Sequence, residues 1–184
     1  MKVELETERL ILKTLDSSYA DSILQYYKKN RDFFESKVPE YSDNFFTPEY
    51  HSGNLEKMEK DSDEGRSIKL FLFLKNDNQT VIGDIAISNI VRGPFLSCHL
   101  GYKLDENQNG KGYASEAVRR ITDYVFNELY LHRIEANVMP SNERSRKLVE
   151  RLGFINEGVS KKYLKINGKW ENHIHYVLLN EKME

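Results

Sequence analysis

The chain has 184 residues, 39% hydrophobic and 30% charged, with a formal net charge of −2 and a pI near 6.2. That length fits a single domain over 1–184 with a good core, and the weakly acidic balance argues against a direct grip on nucleic acid. No apolar run approaches the roughly 18–20 residues of a membrane span; the lone Cys98 permits no intrachain disulfide and Met1-Lys2-Val3-Glu4 carries no secretory signal, so a cytoplasmic protein is expected.

Residues 3–15 read as one strand, with apolar weight on Leu5, Leu10, Ile11, Leu12 and Leu15. Asp16-Ser17-Ser18 suits a helix start, and Ala20, Ile23, Leu24 and Tyr27 recur at helical spacing to about Lys29. Residues 31–50 are aromatic and polar, with Pro39 and Pro48, and read as irregular or part-helical. Phe33, Phe34, Tyr41, Phe45 and Phe46 give this segment an unusual density of aromatic rings. A helix over about 50–63 follows. The period then changes. Strands are predicted at Ile68–Lys75, Val81–Val91 and Ser97–Leu104, separated by Asn76-Asp77-Asn78-Gln79 and Arg92-Gly93-Pro94, which gives an antiparallel meander. A helix over 113–128 puts Ala114, Ala117, Val118, Ile121 and Val125 on one face; Arg133–Met139 alternates as a strand. Asn142 caps a further helix that Gly153 stops, and strands at about 154–164 and 170–179 flank the hairpin turn Asn167-Gly168. Without repeats or linkers, one α+β domain is the economical reading.

The stretch that carries chemistry is Leu104-Asp105-Glu106-Asn107-Gln108-Asn109-Gly110-Lys111-Gly112-Tyr113-Ala114. It joins a strand to a helix. Its glycines permit positive φ and close approach of a ligand, and the helix start with its dipole suits an anion such as a diphosphate; Lys111 adds charge. A Gly-x-Gly loop without a ligand is the plainer alternative. Neither the P-loop spacing nor the third glycine of a dinucleotide fold is present.

In order, the chain offers a strand, Gly110-Lys111-Gly112-Tyr113-Ala114, an amphipathic helix, a strand, then Asn142-x-x-Ser145 on a helix ending in Leu152-Gly153-Phe154. This series resembles the GNAT superfamily of N-acetyltransferases. Thr7-Glu8-Arg9-Leu10-Ile11-Leu12 resembles the group's first strand, and His132 to Ser145, Arg151 to Gly158 and Tyr163 to Trp170 with His173 resemble its ribosomal-protein alanine and serine N-acetyltransferases. One departure is Asn107, where the superfamily's loop motif opens with Gln or Arg; Gln108 stands beside it.

The resemblance implies a mixed, mostly antiparallel twisted sheet, split between its central strands and flanked by helices. It implies acetyl-CoA as co-substrate, with the pantetheine arm along Leu100, Gly101, Tyr102, Lys103 and Leu104, and the diphosphate on Gln108, Asn109, Gly110, Lys111, Gly112, Tyr113 and Ala114. Asn137, Asn142 and Ser145 would face the pantetheine and the thioester. The implied acceptor is a protein N-terminus, favoured as a ribosomal protein starting with Ala or Ser, in a monomer or homodimer. A small amine such as a polyamine or antibiotic, or an acetyl-CoA-binding protein without turnover, are the alternatives.

For a direct attack of amine on thioester, Ser145 is a candidate acid for the thiolate, though it equally suits the first turn of a capped helix. The glutamate that serves as base in the serine enzymes falls on Leu164, which cannot take a proton. His99, beside the expected gap, is the candidate base, with Glu135, Glu157 and His132 behind it; a surface strand histidine is the alternative. An α-amine has a pKa of about 7.8 against about 10.4 for lysine, so it costs about 3.5 kcal/mol less to deprotonate, and a weak base suffices. Cys98 reads as a small apolar filler. His173 and His175 lack the extra ligands a metal site needs, so none is expected. Tyr163, Trp170 and Tyr176 read as packing or rim residues, and Asp61, Asp63 and Glu64 as a small acidic surface.

Overall fold

The computed structural model describes residues 2–183. Eight strands form one sheet: β1 (Glu4–Glu6), β2 (Leu10–Lys13), β3 (Ile68–Leu74), β4 (Gly83–Val91), β5 (Ser97–Leu104), β6 (Arg133–Val138), β7 (Ile155–Ile166) and β8 (Lys169–Leu179). Their spatial order is β1-β2-β3-β4-β5-β6-β8-β7. Every pairing is antiparallel except β5 with β6. Among the described residues five α-helices flank it: α1 (Ala20–Lys29), α2 (Arg31–Glu35), α3 (Pro48–Asp63), α4 (Tyr113–Asn127) and α5 (Glu143–Arg151).

The apolar run of β3 is buried on both faces, which its alternation makes possible. Ile68, Leu70 and Leu72 join the core beneath α4 and α5, built from Ala117, Val118, Ile121, Val125, Leu148 and Val149. Phe71 and Phe73 join the core on the other face with Ile23, Tyr26, Tyr27, Phe34 and Leu55. Lys69, on that second face, is a charged residue in an apolar row.

The N-terminal strand expected over 3–15 is two short antiparallel strands. Thr7–Arg9 interrupts it because the side chains there bind elsewhere. The Thr7 hydroxyl donates to Glu116 of α4 at 2.5 Å, and the Arg9 backbone N–H reaches the same carboxylate at 2.9 Å. The segment expected to be irregular contains the short helix α2, and α3 starts at Pro48, capped by the Thr47 side chain. Beyond α2, the Val38 carbonyl meets the β7–β8 turn, accepting from the Asn167 N–H at 3.3 Å. Asp61 and Glu64 both pair with Arg66.

The meander β3-β4-β5 follows the expected order. The expected gap also lies between β5 and β6, where pairing stops after Ser97↔Arg133, Cys98↔Ile134 and His99↔Glu135. From Leu100 to Leu104, β5 has β4 on one side and no strand on the other. No described helix is long and apolar enough to cross a membrane.

Candidate active site

Below the gap, the loop after β5 is fixed from two directions. Asp105, buried, accepts from Lys29 Nζ at 2.6 Å and from the Asn107 N–H at 2.9 Å, while Asn30 Oδ1 accepts from the Glu106 N–H at 2.9 Å. The end of α1 thus holds the loop's start. Burial works to raise the Asp105 carboxyl, but its hydrogen bonds from Lys29, Asn107 and Asn30 prevail and hold it below the usual range. At the loop's end, Arg9 pairs with Glu116 at 2.6 Å, donates to the Lys111 carbonyl at 3.0 Å and lies over the Tyr113 ring. Gly110 and Gly112 both have positive φ, +80° and +85°. Gly112 is the N-cap of α4 and provides no side-chain cap, so the amides of the first turn stay open to an anion.

Three adjoining cavities make one cleft along this path. The first, about 570 Å³, is walled by Asn109, Gly110, Gly112, Tyr113 and Ala114, with Arg144, Lys147 and Arg151 opposite. The second, about 360 Å³, runs past Tyr102, Lys103, Leu104, Asn142 and Ser145. The third, about 290 Å³, opens at the sheet gap between Leu100–Lys103 and Ala136–Met139, with Ser145, His173, Lys37, Lys69 and Asp84 on its walls. A separate cavity of about 180 Å³ between Tyr19 and α3 shares Lys69 with the cleft.

Of the residues singled out in the sequence, Leu100 through Leu104, Asn109, Gly110, Gly112, Tyr113, Ala114, Asn137, Asn142 and Ser145 line this cleft. Gln108 and Lys111 are not among its lining residues and hydrogen-bond each other at 2.9 Å. Asn142 Oδ1 caps α5 through the Ser145 N–H at 3.3 Å, so the cap and the cleft position coexist in that residue. Ser145 sits in the first turn of α5, as expected, and its side chain faces Tyr102. The Tyr102 hydroxyl is buried and, among the described residues, meets no partner at full hydrogen-bond geometry; burial pushes it up, and the nearby Ser145 side chain opposes the shift. Asn137 Oδ1 is likewise buried without a partner. A cleft with two such atoms and a bare strand edge fits the polar amides of an extended chain.

His99 lies at the last paired position, outside the cleft walls. Its Nδ1 meets Asn89 Nδ2 at 3.1 Å and its Nε2 lies 3.9 Å from Glu135. Glu135, one of the candidate bases behind His99, is a hub. It accepts from His175 Nδ1 at 2.7 Å and from Arg133 at 3.3 Å. Burial opposes its charge, but hydrogen bonds from His175, Asn137 and Arg133 hold its carboxyl below the usual range. Glu157 pairs with Arg133 at 2.6 Å. Leu164 stands across from Glu171 in the β7–β8 hairpin. Tyr176 is fully buried with its hydroxyl on Glu150, Trp170 is exposed, and Tyr163 packs on His173 and His175. Cys98 is fully buried, and burial pushes its thiol up to about 12, so it offers no thiolate. Among the described residues, no group of three or more His, Cys, Asp or Glu side chains is placed to hold a metal ion.

Two sets of cleft residues were missed in the sequence. Arg144, Lys147 and Arg151 recur at three and four residues, one face of α5, and that spacing was a readable signal. Lys69 and Asp84 meet each other and Lys103, itself expected in the cleft, only through strand register: Phe71↔Asp84 and Asp84↔Lys103.

An eight-stranded sheet that parts in the middle over a glycine loop and an uncapped helix start defines an acyltransferase of the N-acetyltransferase class. The chain belongs to the GNAT acetyltransferase family, whose domain model matches residues 9–155. It is 36% identical over 176 residues to "Probable N-acetyltransferase YjcK" of Bacillus subtilis (strain 168), covering 96% of this chain and 97% of that one. It is 35% identical to the ribosomal protein uS5-alanine N-acetyltransferase of Escherichia coli (strain K12), over 94% of this chain and 89% of that one. The crystal structure of ribosomal-protein-S5-alanine acetyltransferase from Vibrio fischeri superposes with a TM-score of 0.93 at 37% identity, over 99% of both chains. The protein is therefore a GNAT N-acetyltransferase.

Proposed function

We propose that this enzyme transfers acetyl from acetyl-CoA to the N-terminal α-amine of a protein, most favourably a ribosomal protein starting with Ala or Ser. The observation that carries the reading is the cleft itself, continuous from the open amides of α4 to the gap at Leu100. The loop amides and Arg144, Lys147 and Arg151 suit the phosphates, and the free edge of β5 suits the amides of a pantetheine arm. With Cys98 buried, the amine attacks the thioester directly. The likeness to the uS5-alanine enzymes supports an N-terminal acceptor. So does the charge of the third cavity: Lys37, Lys69 and Lys103 stand against Asp84 alone, and a polyamine would bring further positive charge to that wall.

A thiol-release assay tests this with an Ala-starting ribosomal-protein peptide, its N-blocked form and a panel of small amines. Turnover of the free peptide and none of the blocked one is expected; turnover of small amines alone would remove the protein acceptor. Within the same reading, Gly112→Val is expected to weaken CoA binding by about 10–100-fold, because a β-branched residue at φ +85° costs about 1–3 kcal/mol. Its Cβ would also stand 3.2 Å from Arg9 Nη2. Calorimetric titration with CoA checks it, with a melting curve to separate lost binding from lost fold.

A further inference from the structure

In the sequence, His173 of β8 enters the family resemblance and is a poor metal ligand, with no catalytic role. The structure gives it a different setting. It is 4% exposed and lines the third cavity together with Gly101, Tyr102, Asn137 and Ser145. Its Nδ1 lies 3.2 Å from the carbonyl oxygen of Glu171. A carbonyl oxygen only accepts, so Nδ1 must carry the ring proton. The neutral ring then presents Nε2 as a lone pair, and among the described residues that nitrogen has no hydrogen-bond partner. His175, two residues on, differs: its Nδ1 is held by the Glu135 carboxylate and it does not line the cavity.

We propose that His173 accepts the proton of the attacking amine at Nε2. The inference rests on the reading that this chain acetylates an amine, and it names the base that reading lacked. In the step, the nitrogen of the neutral amine bonds to the thioester carbonyl carbon, and the C–S bond breaks. One N–H proton passes to Nε2, leaving an imidazolium that returns it to solvent. The departing thiolate takes up one proton, so the charge balances.

The surroundings favour a neutral ring at rest. Burial pushes the imidazole down and the neighbouring His175 adds to that, while the Glu171 carbonyl and side chain oppose it. From β7, the Tyr163 ring packs at 5.6 Å between centroids. Across the cavity stand Lys37 after α2, Lys69 of β3, Asp84 of β4 and Lys103 of β5, with the hydroxyls of Tyr102 and Ser145. The net charge of that wall is positive, which again disfavours imidazolium before the reaction. A base with a lowered pKa is active above that pKa, so activity is lost as pH falls through it.

The test is kcat/KM against pH for wild type and His173→Gln, on whichever acceptor the wild type turns over. The α-amine, with a pKa of about 7.8, gives every variant a slope of one below that value. Wild type is expected to steepen to a slope of two below the histidine's own pKa, under about 6.5. His173→Gln is expected to lose the steeper limb and about 10²-fold or more in kcat/KM, with CoA affinity and melting temperature held. NMR titration of the His173 ring, assigned by its loss in the variant, gives a readout apart from turnover: a midpoint below about 6.5 is expected. A variant that retains the wild-type rate and the same two-limbed profile would overturn the proposal, as would a ring titrating above that value. Wild-type protein inactive on every amine would instead remove the acetylation reading, with the NMR midpoint still measured. His173→Asn serves as the second variant if glutamine fails to fold.

Discussion

Asp84→Ala is expected to destabilise the folded protein by about 3–5 kcal/mol, the cost of leaving a buried charge without its partner. Asp84 is 3% exposed. It accepts an ion pair from Lys69 at 3.0 Å, with Lys103 at 3.9 Å, and the hydroxyls of Tyr26 and Tyr27 donate to its other oxygen at 3.3 and 3.4 Å. Lys69 also reaches the Tyr27 hydroxyl at 3.2 Å. Burial opposes the charge on each partner. For Asp84 the fields of Lys103 and Lys69 outweigh it and the carboxyl is held down; for Lys69 the field of Asp84 outweighs it and the ammonium is held up. Removing the aspartate leaves two lysines facing each other and two tyrosine hydroxyls without their acceptor. Lys69→Met is expected to cost less, because Asp84 keeps Lys103 and both hydroxyls. Urea unfolding at pH 7 measures the order; losses under about 1 kcal/mol in both variants would show that the cluster is solvated rather than structural.

The same cluster sets a pH window. The depressed pKa of Asp84 contributes stability that is present above the unfolded value of about 3.9 and is lost as pH falls through the folded value. The raised pKa of Lys69 contributes stability present below about 10.4 and lost as pH rises through its folded value. The cluster's contribution is therefore a plateau between those two limits, and Asp84→Ala should lower that plateau.

Why the cluster was invisible in the sequence, while the glycine loop was plain, follows from what each depends on. Gly110 to Ala114 announces itself locally, since a strand, two glycines and an amphipathic helix are contiguous, and the resemblance to the family adds to that. Lys69 sits inside Ile68–Leu74, where alternation was masked by apolar residues on both faces. Asp84 falls inside the expected strand Val81–Val91, where a single acidic residue carries no sign of what it faces. Only the pairing of β3, β4 and β5 in one register brings them together, and register is not written in any one segment. His173 failed to stand out for a related reason. Its tautomer is set by the carbonyl of Glu171, a backbone group with no sequence signature, and its neighbours Asn137 and Ser145 come from other elements. The N-terminal strand was read as continuous because Thr7 and Arg9 look like ordinary strand residues; their bonds to Glu116, more than a hundred residues on, break it.

The second large effect is expected at Ser145 and Tyr102. A leaving thiolate, with the parent thiol near pKa 8.5, needs a hydrogen-bond donor more than a full acid at neutral pH. Ser145 lines both the second and third cavities, and its side chain acts on the Tyr102 hydroxyl. The Tyr102 hydroxyl faces it, buried and, among the described residues, without a partner at full hydrogen-bond geometry. A phenol pushed up by burial stays protonated across the working pH range, so it remains a donor. Ser145→Ala is expected to lower kcat by about 10²-fold, the scale of losing one aimed donor in a water-poor site, with CoA affinity nearly unchanged. Tyr102→Phe alone should cost less, since Ser145 remains. In the double variant the losses should fall short of additive if the two hydroxyls serve the same sulfur, because removing the second from a site already lacking the first takes away less. A full double-mutant cycle in kcat decides this. Strict additivity would place the two hydroxyls on separate tasks, and a wild-type kcat in Ser145→Ala would reduce Ser145 to its place in the first turn of α5.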